Sequence, residues 1–367
     1  MLEKGKISAF QMGVMMYPTI IATAILSLPS TMATYAHNDL WLSPIWASFA
    51  GFLTVYVSHR LHQYYPQQTL IEYSCQIVGL IPGKLIGLLY CFLYLMWTGQ
   101  IVRNYAEFVV GAFLFNTPIV VVIASMILVC VFAVRGGVEV IGRAALLFMP
   151  LFVFPLCLMI LFLLPDLDWK NFFPVLENGI VPSMKGAIVP HIWLGEFWLT
   201  AFLFPLLADS SKGRKWGMLS VLAVTITMIA SNLFSLLLFG NDVSSMLYPL
   251  MIASRYISIA DFFENLESVV MAVWVLGAFV KISVFFYVIV LGSAQLMEVT
   301  DYRPLVWPIG FLIVLFSFWG IPNMIVFNYL DETSLPYYGF FMQILLPLLL
   351  LLIAKLRNKP QRMKSAA

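Results

Sequence analysis

Long apolar runs separated by short charged segments are the feature that most constrains this chain. Of its 367 residues, 62% are hydrophobic and only 10% are charged, with a mean hydropathy of +0.94. Soluble domains carry about 25% charged residues, so no soluble fold of this length fits. A helix of about 20 apolar residues crosses the roughly 30 Å hydrocarbon core of a bilayer. The chain is therefore predicted to be an all-α polytopic membrane protein.

The apolar runs divide into ten predicted transmembrane spans. Their boundaries, in chain order, are 10–35, 41–62, 84–110, 117–134, 142–164, 184–207, 216–239, 265–292, 304–327 and 336–355. Two short helices are predicted to lie at the membrane surface instead, over residues 69–78 at the cytoplasmic face and 243–258 at the opposite face.

Basic residues are distributed unequally between the two sides. With the N-terminus inside, fifteen of the twenty Lys and Arg residues fall in cytoplasmic segments and three in outer ones. Cytoplasmic segments of membrane proteins carry an excess of Lys and Arg. Both termini are therefore predicted to be cytoplasmic, as an even number of spans requires. The three outer residues are Lys170, Lys185 and Arg255, and Arg103 and Lys281 lie within spans.

Several function classes are disfavoured. A net charge of +2 gives no indication of a nucleic-acid surface. The four cysteines show no C-x-x-C spacing, so neither a disulfide framework nor a metal site is predicted. The chain also lacks a Ser/His/Asp set, an H-E-x-x-H motif and a Gly-rich phosphate loop. We therefore expect no enzymatic activity, no cofactor and no nucleic-acid partner.

The first and sixth spans carry residues that interrupt helices. The first has the small-residue run Ala22-Thr23-Ala24-Ile25 between Pro18 and Pro29, and the sixth has Leu194-Gly195-Glu196 near its middle. The two runs lie about half the chain apart, and interrupted spans at matching positions in two halves indicate a transporter-type binding site. Both stretches are predicted to be unwound and to face one shared cavity, with their residues in contact with ligand.

Unwound helix ends suggest the chemistry of that ligand. Free N–H groups and a positive dipole end suit a carboxylate, and free carbonyls suit an ammonium group, so a zwitterionic amino acid fits. A carboxylate in the middle of a membrane helix costs about 2.5–3.5 kcal/mol, which indicates that Glu196 is used. We expect it to accept the amino group of the ligand or a coupling proton. The alternatives are a satisfied interior acid and an ordinary proline-kinked first helix.

The chain resembles the B-subunit family of spore germinant receptors, a branch of the amino acid–polyamine–organocation permease superfamily. The resemblance runs along the whole chain and rests on a series of segments: Ala22-Thr23-Ala24-Ile25-Leu26-Ser27-Leu28-Pro29, Asn38-Asp39-Leu40-Trp41-Leu42-Ser43-Pro44, Thr69-Leu70-Ile71-Glu72-Tyr73, Arg103-Asn104-Tyr105-Ala106-Glu107-Phe108 and Gly195-Glu196-Phe197. One departure is that the family usually has glycine at the position of Ala22 and often at that of Ala24.

The resemblance implies a single membrane domain over residues 1–367, built as two inverted five-helix repeats. These would cover about 8–164 and 180–355, followed by a basic cytoplasmic tail over 356–367. It also implies a subunit that binds a small-molecule nutrient, and partners in a larger A subunit and a C-subunit lipoprotein. The implied location is the inner membrane of the dormant spore.

In that architecture the third span should line the pocket. Tyr94, Trp97 and Gln100 are then candidate ligand contacts, although an aromatic stripe is more often core packing. Nearer the outer end of the same span, Arg103 and Glu107 have the spacing of an i,i+4 ion pair, which favours a structural role over an outer gate.

Lys281 lies within the eighth span, on the helical face that it shares with Glu267 and Trp274 at a spacing of seven. In sodium-coupled relatives the eighth and first helices hold a cation near this depth. The resemblance therefore makes the Lys281 ammonium a candidate substitute for that ion or a proton carrier. The alternative is a structural lysine that reaches toward the cytoplasm.

Three functions remain open at this point. The first is a nutrient sensor that passes a helix shift to partner subunits and so triggers germination. The second is a proton-coupled amino acid transporter, and the third is a structural scaffold subunit of the receptor complex. The predicted pocket chemistry is common to the first two.

Overall fold

The chain is helical throughout the part that the computed structural model describes, which is residues 2–257, 267–320, 330 and 333–364. Within these residues there is no β-strand, only one isolated bridge between Ile7 and Leu207. Among the described residues, seven helical stretches are long and apolar enough to cross a membrane, and the first, Ala9–Tyr64, contains two of the predicted spans. The prediction of an all-helical integral membrane protein is confirmed.

The helices of the first half match the first five predicted spans and the first surface helix to within four residues at each end. They are α1 (Ala9–Ala36), α2 (Ser43–Tyr64), α3 (Leu70–Val78), α4 (Leu80–Ala112), α5 (Ile119–Gly136) and α6 (Val138–Leu163).

The described part of the second half contains shorter helices around four longer ones. They are α7 (Val181–Gly186), α8 (Pro190–Gly195), α9 (Thr200–Leu203), α10 (Gly213–Phe239), α11 (Pro249–Arg255), α12 (Glu267–Leu296), α13 (Val306–Trp319), α14 (Leu335–Phe340) and α15 (Leu346–Lys364). Parts of three predictions lie outside the described residues: 258 of the second surface helix, 265–266 of the eighth span and 321–327 of the ninth.

The prediction that the first span is interrupted is wrong, because α1 runs as continuous α-helix from Ala9 to Ala36. Pro18 and Pro29 lie inside it, and each removes only one backbone hydrogen bond. Alanine is the strongest helix former, so Ala22 and Ala24 favour the helix where glycine would weaken it. Packing adds to this preference, since a Cβ placed on Gly277 of α12 would lie only 2.8 Å from the Cβ of Ala22.

The prediction that the sixth span is interrupted is confirmed, but the interruption is a change of helix type and not the unwound backbone that was predicted. The α-helical geometry of α8 ends at Gly195, a 3₁₀ turn follows over Glu196–Leu199, and after α9 a second 3₁₀ turn covers Phe204–Leu206. Short 3₁₀ stretches within a helix often mark functional hinges. We call the region Val181–Leu206 the broken segment.

The broken segment and α1 lie at the centre of the molecule. α1 packs against α6, α10 and α12, and the broken segment packs against α2. Backbone hydrogen bonds link the residue segment just before α1 to the end of the broken segment: the N–H of Ile7 donates to the carbonyl of Leu206 (3.1 Å), and the N–H of Ala208 donates to the carbonyl of Ile7 (2.9 Å). This arrangement places Glu196 deep in the protein, between α1 and α12.

Candidate ligand-binding site

A buried ion pair joins α12 to the broken segment. The Lys281 Nζ lies 2.7 Å from Oε2 and 3.0 Å from Oε1 of Glu196. The Lys281 side chain is 0% exposed and that of Glu196 is 7% exposed. Opposite charges at this distance, shielded from water, attract much more strongly than a surface pair does. The two residues were predicted separately, and the structure brings them together.

Thr23 of α1 completes the charge cluster. Its Oγ1 accepts hydrogen bonds from Lys281 Nζ and from Trp193 Nε1, both at 2.9 Å. An ammonium group has three donors, so the three bonds to Thr23 and Glu196 account for all of them. We call Thr23, Trp193, Glu196 and Lys281 the central cluster. It connects three separate elements: α1, the broken segment and α12.

The position of the Glu196 side chain is set by the short helix before it and by the buried residues after it. Pro190 begins α8 and Gly195 ends it, so the helix is only six residues long before the 3₁₀ turn. The next residues, Phe197, Trp198 and Leu199, are fully buried. Their packing holds the 3₁₀ turn in place and directs the Glu196 carboxylate toward α12.

Two adjacent cavities border the central cluster. The inner cavity has a volume of about 50 Å³, enough for a few water molecules. The outer cavity has a volume of about 280 Å³, near the lower end of the range for small-molecule sites. Thr23, Trp193 and Asn104 line both, so the cavities meet at the central cluster.

The outer cavity is rich in hydroxyl groups and indole rings. None of the described residues that line it carries a formal charge. Its hydrogen-bonding residues are Thr23, Ser27, Ser30, Thr31, Thr34, Asn104, Tyr105, Trp193, Ser244, Ser245, Tyr248 and Trp274. Tyr248 lies in the connection between α10 and α11, and burial raises its pKa to about 12, so it presents a neutral hydroxyl group.

The predicted site residues divide into two groups. Thr23, Trp97, Gln100, Glu196 and Lys281 line the inner cavity. The others are buried but line neither cavity: Ala22, Ala24, Ile25, Tyr94, Leu194 and Gly195.

Residues of the second group pack against other parts of the protein. The ring of Tyr94 lies 5.6 Å from that of Phe285, edge to face. Gly195 faces the side chain of Gln343, and Ala22 faces Gly277. Whether any of the predicted residues binds ligand stays a prediction.

Sequence reasoning missed several cavity residues that helical periodicity can identify. Ser27 lies one turn beyond Thr23 in α1, and Asn104 lies one turn beyond Gln100 in α4, so each shares a face with a predicted residue. The carbonyl oxygen of the Asn104 side chain is buried and has no hydrogen-bond partner among the described residues. Such a group can accept a hydrogen bond from a ligand.

The charged and aromatic residues near the cavities make specific contacts. Arg103 and Glu107 form the expected i,i+4 ion pair, with Arg103 Nη2 2.7 Å from Glu107 Oε1. Trp274 lines the outer cavity as its shared face with Lys281 suggests, whereas Glu267 pairs with Arg255 at 2.6 Å.

Comparison with known families gives one match over most of the chain. Residues 6–325 match the family model described as "Spore germination protein". Spore germination protein KB of Bacillus subtilis (strain 168) is 28% identical over 372 residues, covering 98% of this chain and 97% of that protein. Putative spore germination protein YfkT of the same organism is 25% identical over 343 residues, covering 91% and 92%.

Comparison with solved structures shows a shared fold. A Na⁺-coupled sialic acid symporter in a substrate-bound, outward-open state has a TM-score of 0.68 at 13% identity, covering 92% of this chain and 78% of its own. Mhp1, a nucleobase-cation-symport-1 family transporter, gives 0.67 at 11% identity, covering 93% and 78%. MhsT in complex with L-phenylalanine gives 0.65 at 13% identity, covering 96% and 89%. At these identities the likeness concerns the fold.

Proposed function

This chain belongs to the spore germination protein family, and we propose that it is the nutrient-binding membrane subunit of a spore germinant receptor. The observation that carries the proposal is the central cluster: a buried ion pair that ties α12 to a broken helix, beside a cavity of ligand size. The nutrient is a small molecule, and an L-amino acid is the first candidate.

The ion pair provides a mechanism for sensing. The carboxylate of an amino acid competes with Glu196 for Lys281, and its ammonium group competes with Lys281 for Glu196. Because each charge of the pair then finds a new partner in the ligand, the pair can open without leaving an uncompensated buried charge. Opening frees the broken segment from α12. The 3₁₀ turn at Glu196–Leu199 is the place where the segment can shift.

The proposed architecture is a single membrane domain of ten transmembrane helices in two inverted five-helix repeats, about 8–164 and 180–355. The fold shared with the transporters supports it. The proposed location is the spore inner membrane with both termini cytoplasmic, which the unequal distribution of Lys and Arg supports. The proposed partners are the receptor A subunit and the C-subunit lipoprotein, to which the shift of the broken segment is passed.

A proton-coupled amino acid transporter is the second candidate function. The fold favours it, because Na⁺-coupled symporters share it. Lys281 contributes a fixed positive charge between α12 and α1, and this charge would substitute for a bound coupling ion. A purely structural scaffold subunit would require no ligand at all.

One experiment separates the three functions. The purified chain is reconstituted in proteoliposomes, and binding and uptake of each radiolabelled standard L-amino acid are measured with an imposed proton gradient. Saturable binding without concentrative uptake supports the sensor, and sustained uptake supports the transporter. Neither binding nor uptake by correctly folded protein contradicts both and leaves the scaffold.

A further inference from the structure

Gln343 is a buried polar residue that the ligand chemistry above does not use. It lies in a π-helical turn, Phe341–Leu345, between α14 and α15. Its side chain is 0% exposed, and neither Nε2 nor Oε1 has a hydrogen-bond partner among the described residues. Unpaired buried amides cost free energy and are rare in folded proteins, so one that is present needs an explanation.

The Gln343 amide lies against Gly195, the residue that precedes Glu196. A Cβ added to Gly195 would overlap Oε1 of Gln343 and would lie 2.9 Å from its Cδ and 3.3 Å from its Cβ. The backbone of Gly195 has φ −64° and ψ −25°, a helical conformation that any residue adopts. Glycine is therefore required here for the close approach of Gln343 and not for its conformational freedom.

This contact lies at the point where the broken segment changes geometry. Gly195 ends α8, and the 3₁₀ turn begins at Glu196. On the other side of the contact, the π-helical turn is held by Tyr90 of α4, whose hydroxyl group donates to the carbonyl of Met342. π-Helical turns inside α-helices occur frequently at functional sites. The π-helical turn that carries the Gln343 amide is therefore held in place by α4, and the amide contacts the residue at which α8 ends.

We propose that Gln343 is a positioning residue for Glu196, and that its amide couples the last long helix to the break beside the ligand site. In this state the amide fills the space beside Gly195 and fixes the backbone from which the Glu196 carboxylate reaches Lys281. When the broken segment shifts, the peptide groups of the 3₁₀ turn become partners for the unpaired amide. The inference rests on the proposed function, because the shift is the one that ligand binding produces.

The test uses four variants of the full chain in spores of the organism that encodes it. They are Gly195→Ala, Gln343→Ala, the double variant Gly195→Ala/Gln343→Ala, and the control Gly111→Ala, where no atom lies within 4 Å of the added methyl group. The standard L-amino acids and glucose are supplied singly as probes. The midpoint of the germination dose–response is measured together with the amount of folded protein in the membrane.

Gly195→Ala is expected to raise the midpoint at least about tenfold, and the double variant to return to within about threefold of Gln343→Ala alone. Gly111→Ala is expected to match the native chain. A midpoint that is unchanged in Gly195→Ala, or that is no better in the double variant, overturns the inference. A native chain that responds to no probe instead overturns the proposed function.

A fifth variant, Gln343→Leu, keeps the inference falsifiable where Gly195→Ala protein does not accumulate. Leucine has a similar size but no hydrogen-bonding atoms, so packing is retained and the unpaired amide is removed. The folded protein is expected at native amount or above, with a midpoint raised several-fold, since the shifted state has lost its new partner. A native midpoint for Gln343→Leu would show that the residue only fills space, and would overturn the coupling.

Discussion

The Nζ atom of Lys281 lies between both carboxylate oxygens of Glu196, at 2.7 Å and 3.0 Å, and this contact joins α12 to the point where the broken segment leaves α-helical geometry. The two residues are 85 positions apart in the chain. Both side chains are shielded from water, and they belong to different elements, so the ion pair holds α12 and the broken segment together. A ligand that competes for either charge must loosen it.

Breaking the Lys281–Glu196 ion pair should lower the free energy of unfolding. Lys281→Met leaves the Glu196 carboxylate buried without a cation, and removal of one partner from a buried pair costs about 3–5 kcal/mol. The double variant Lys281→Met/Glu196→Gln should recover most of this loss, because neither charge then remains. The free energy of unfolding of the detergent-solubilised protein, measured for the single and the double variant, checks both the loss and its recovery. The control is Arg143→Met, which breaks the exposed pair between Arg143 and Glu139 and should cost about 0.5 kcal/mol or less. Equal losses at the two pairs would contradict the prediction.

The response should depend on the charge of Glu196. Glutamine keeps the size of the side chain and an acceptor oxygen for Lys281, so Glu196→Gln protein should still accumulate, although the Lys281 ammonium left without an anion lowers its free energy of unfolding. It should nevertheless fail to trigger germination, because the ligand ammonium loses its charged partner. The dose–response of spores with the variant, beside an immunoblot of the chain, checks this. An unchanged dose–response at native protein level would refute the assigned role of Glu196.

Thr23 should influence the site through the two hydrogen bonds that its hydroxyl oxygen accepts. Thr23→Val leaves Lys281 Nζ and Trp193 Nε1 each without one partner, which should cost about 1–3 kcal/mol and raise the ligand midpoint. The matched control is Thr19→Val, one turn earlier in α1, where the hydroxyl group only donates to the carbonyl of Met15. Unfolding and ligand titration of the two purified variants should separate them clearly. If they behave alike, Thr23 contributes only to helix packing.

Asn104 should contribute to binding through its unpaired side-chain oxygen. It lines both cavities, so Asn104→Leu removes an acceptor at their junction and should raise the ligand midpoint about tenfold, with little loss of stability. The control is Asn116→Leu, an exposed position before α5. Ligand titration, followed by thermal unfolding, checks both variants. If Asn104→Leu is half-saturated at the same ligand concentration as the native chain, the residue is excluded from the site.

The helices and the buried charges of Glu196 and Lys281 could be predicted because each depends on local information. A run of apolar residues predicts a span wherever it lies in the chain, and a charge inside a span is costly wherever it lies. The contact between the two residues could not be predicted in this way. It depends on how α12 packs beside the broken segment, and no local pattern at Glu196 refers to Lys281.

The error in the first span has the same physical origin. The small residues around Ala22, between two prolines, resemble an interruption when the span is considered alone. In the folded chain Ala22 packs against Gly277, and this tertiary contact favours the continuous helix. Residues of the outer cavity that lie on predicted spans, such as Asn104, could be found by extending a helical face by one turn. Ser245 and Tyr248 could not, because the surface helix predicted over 243–258 is broken there: a 3₁₀ helix ends at Ser245, and α11 begins only after Tyr248.

Binding of a nutrient at the Lys281–Glu196 pair can be tested by a thermal-shift panel on purified protein, with the native chain beside Lys281→Met/Glu196→Gln. Each standard L-amino acid and glucose is added singly at millimolar concentration, and the unfolding midpoint is recorded, since a ligand that binds the folded state must raise it. At least one nutrient is expected to raise the unfolding midpoint of the native chain and to leave that of the double variant unchanged. A panel in which no nutrient raises the native midpoint, or in which one raises both midpoints equally, would contradict the claim that the Lys281–Glu196 pair forms the nutrient site.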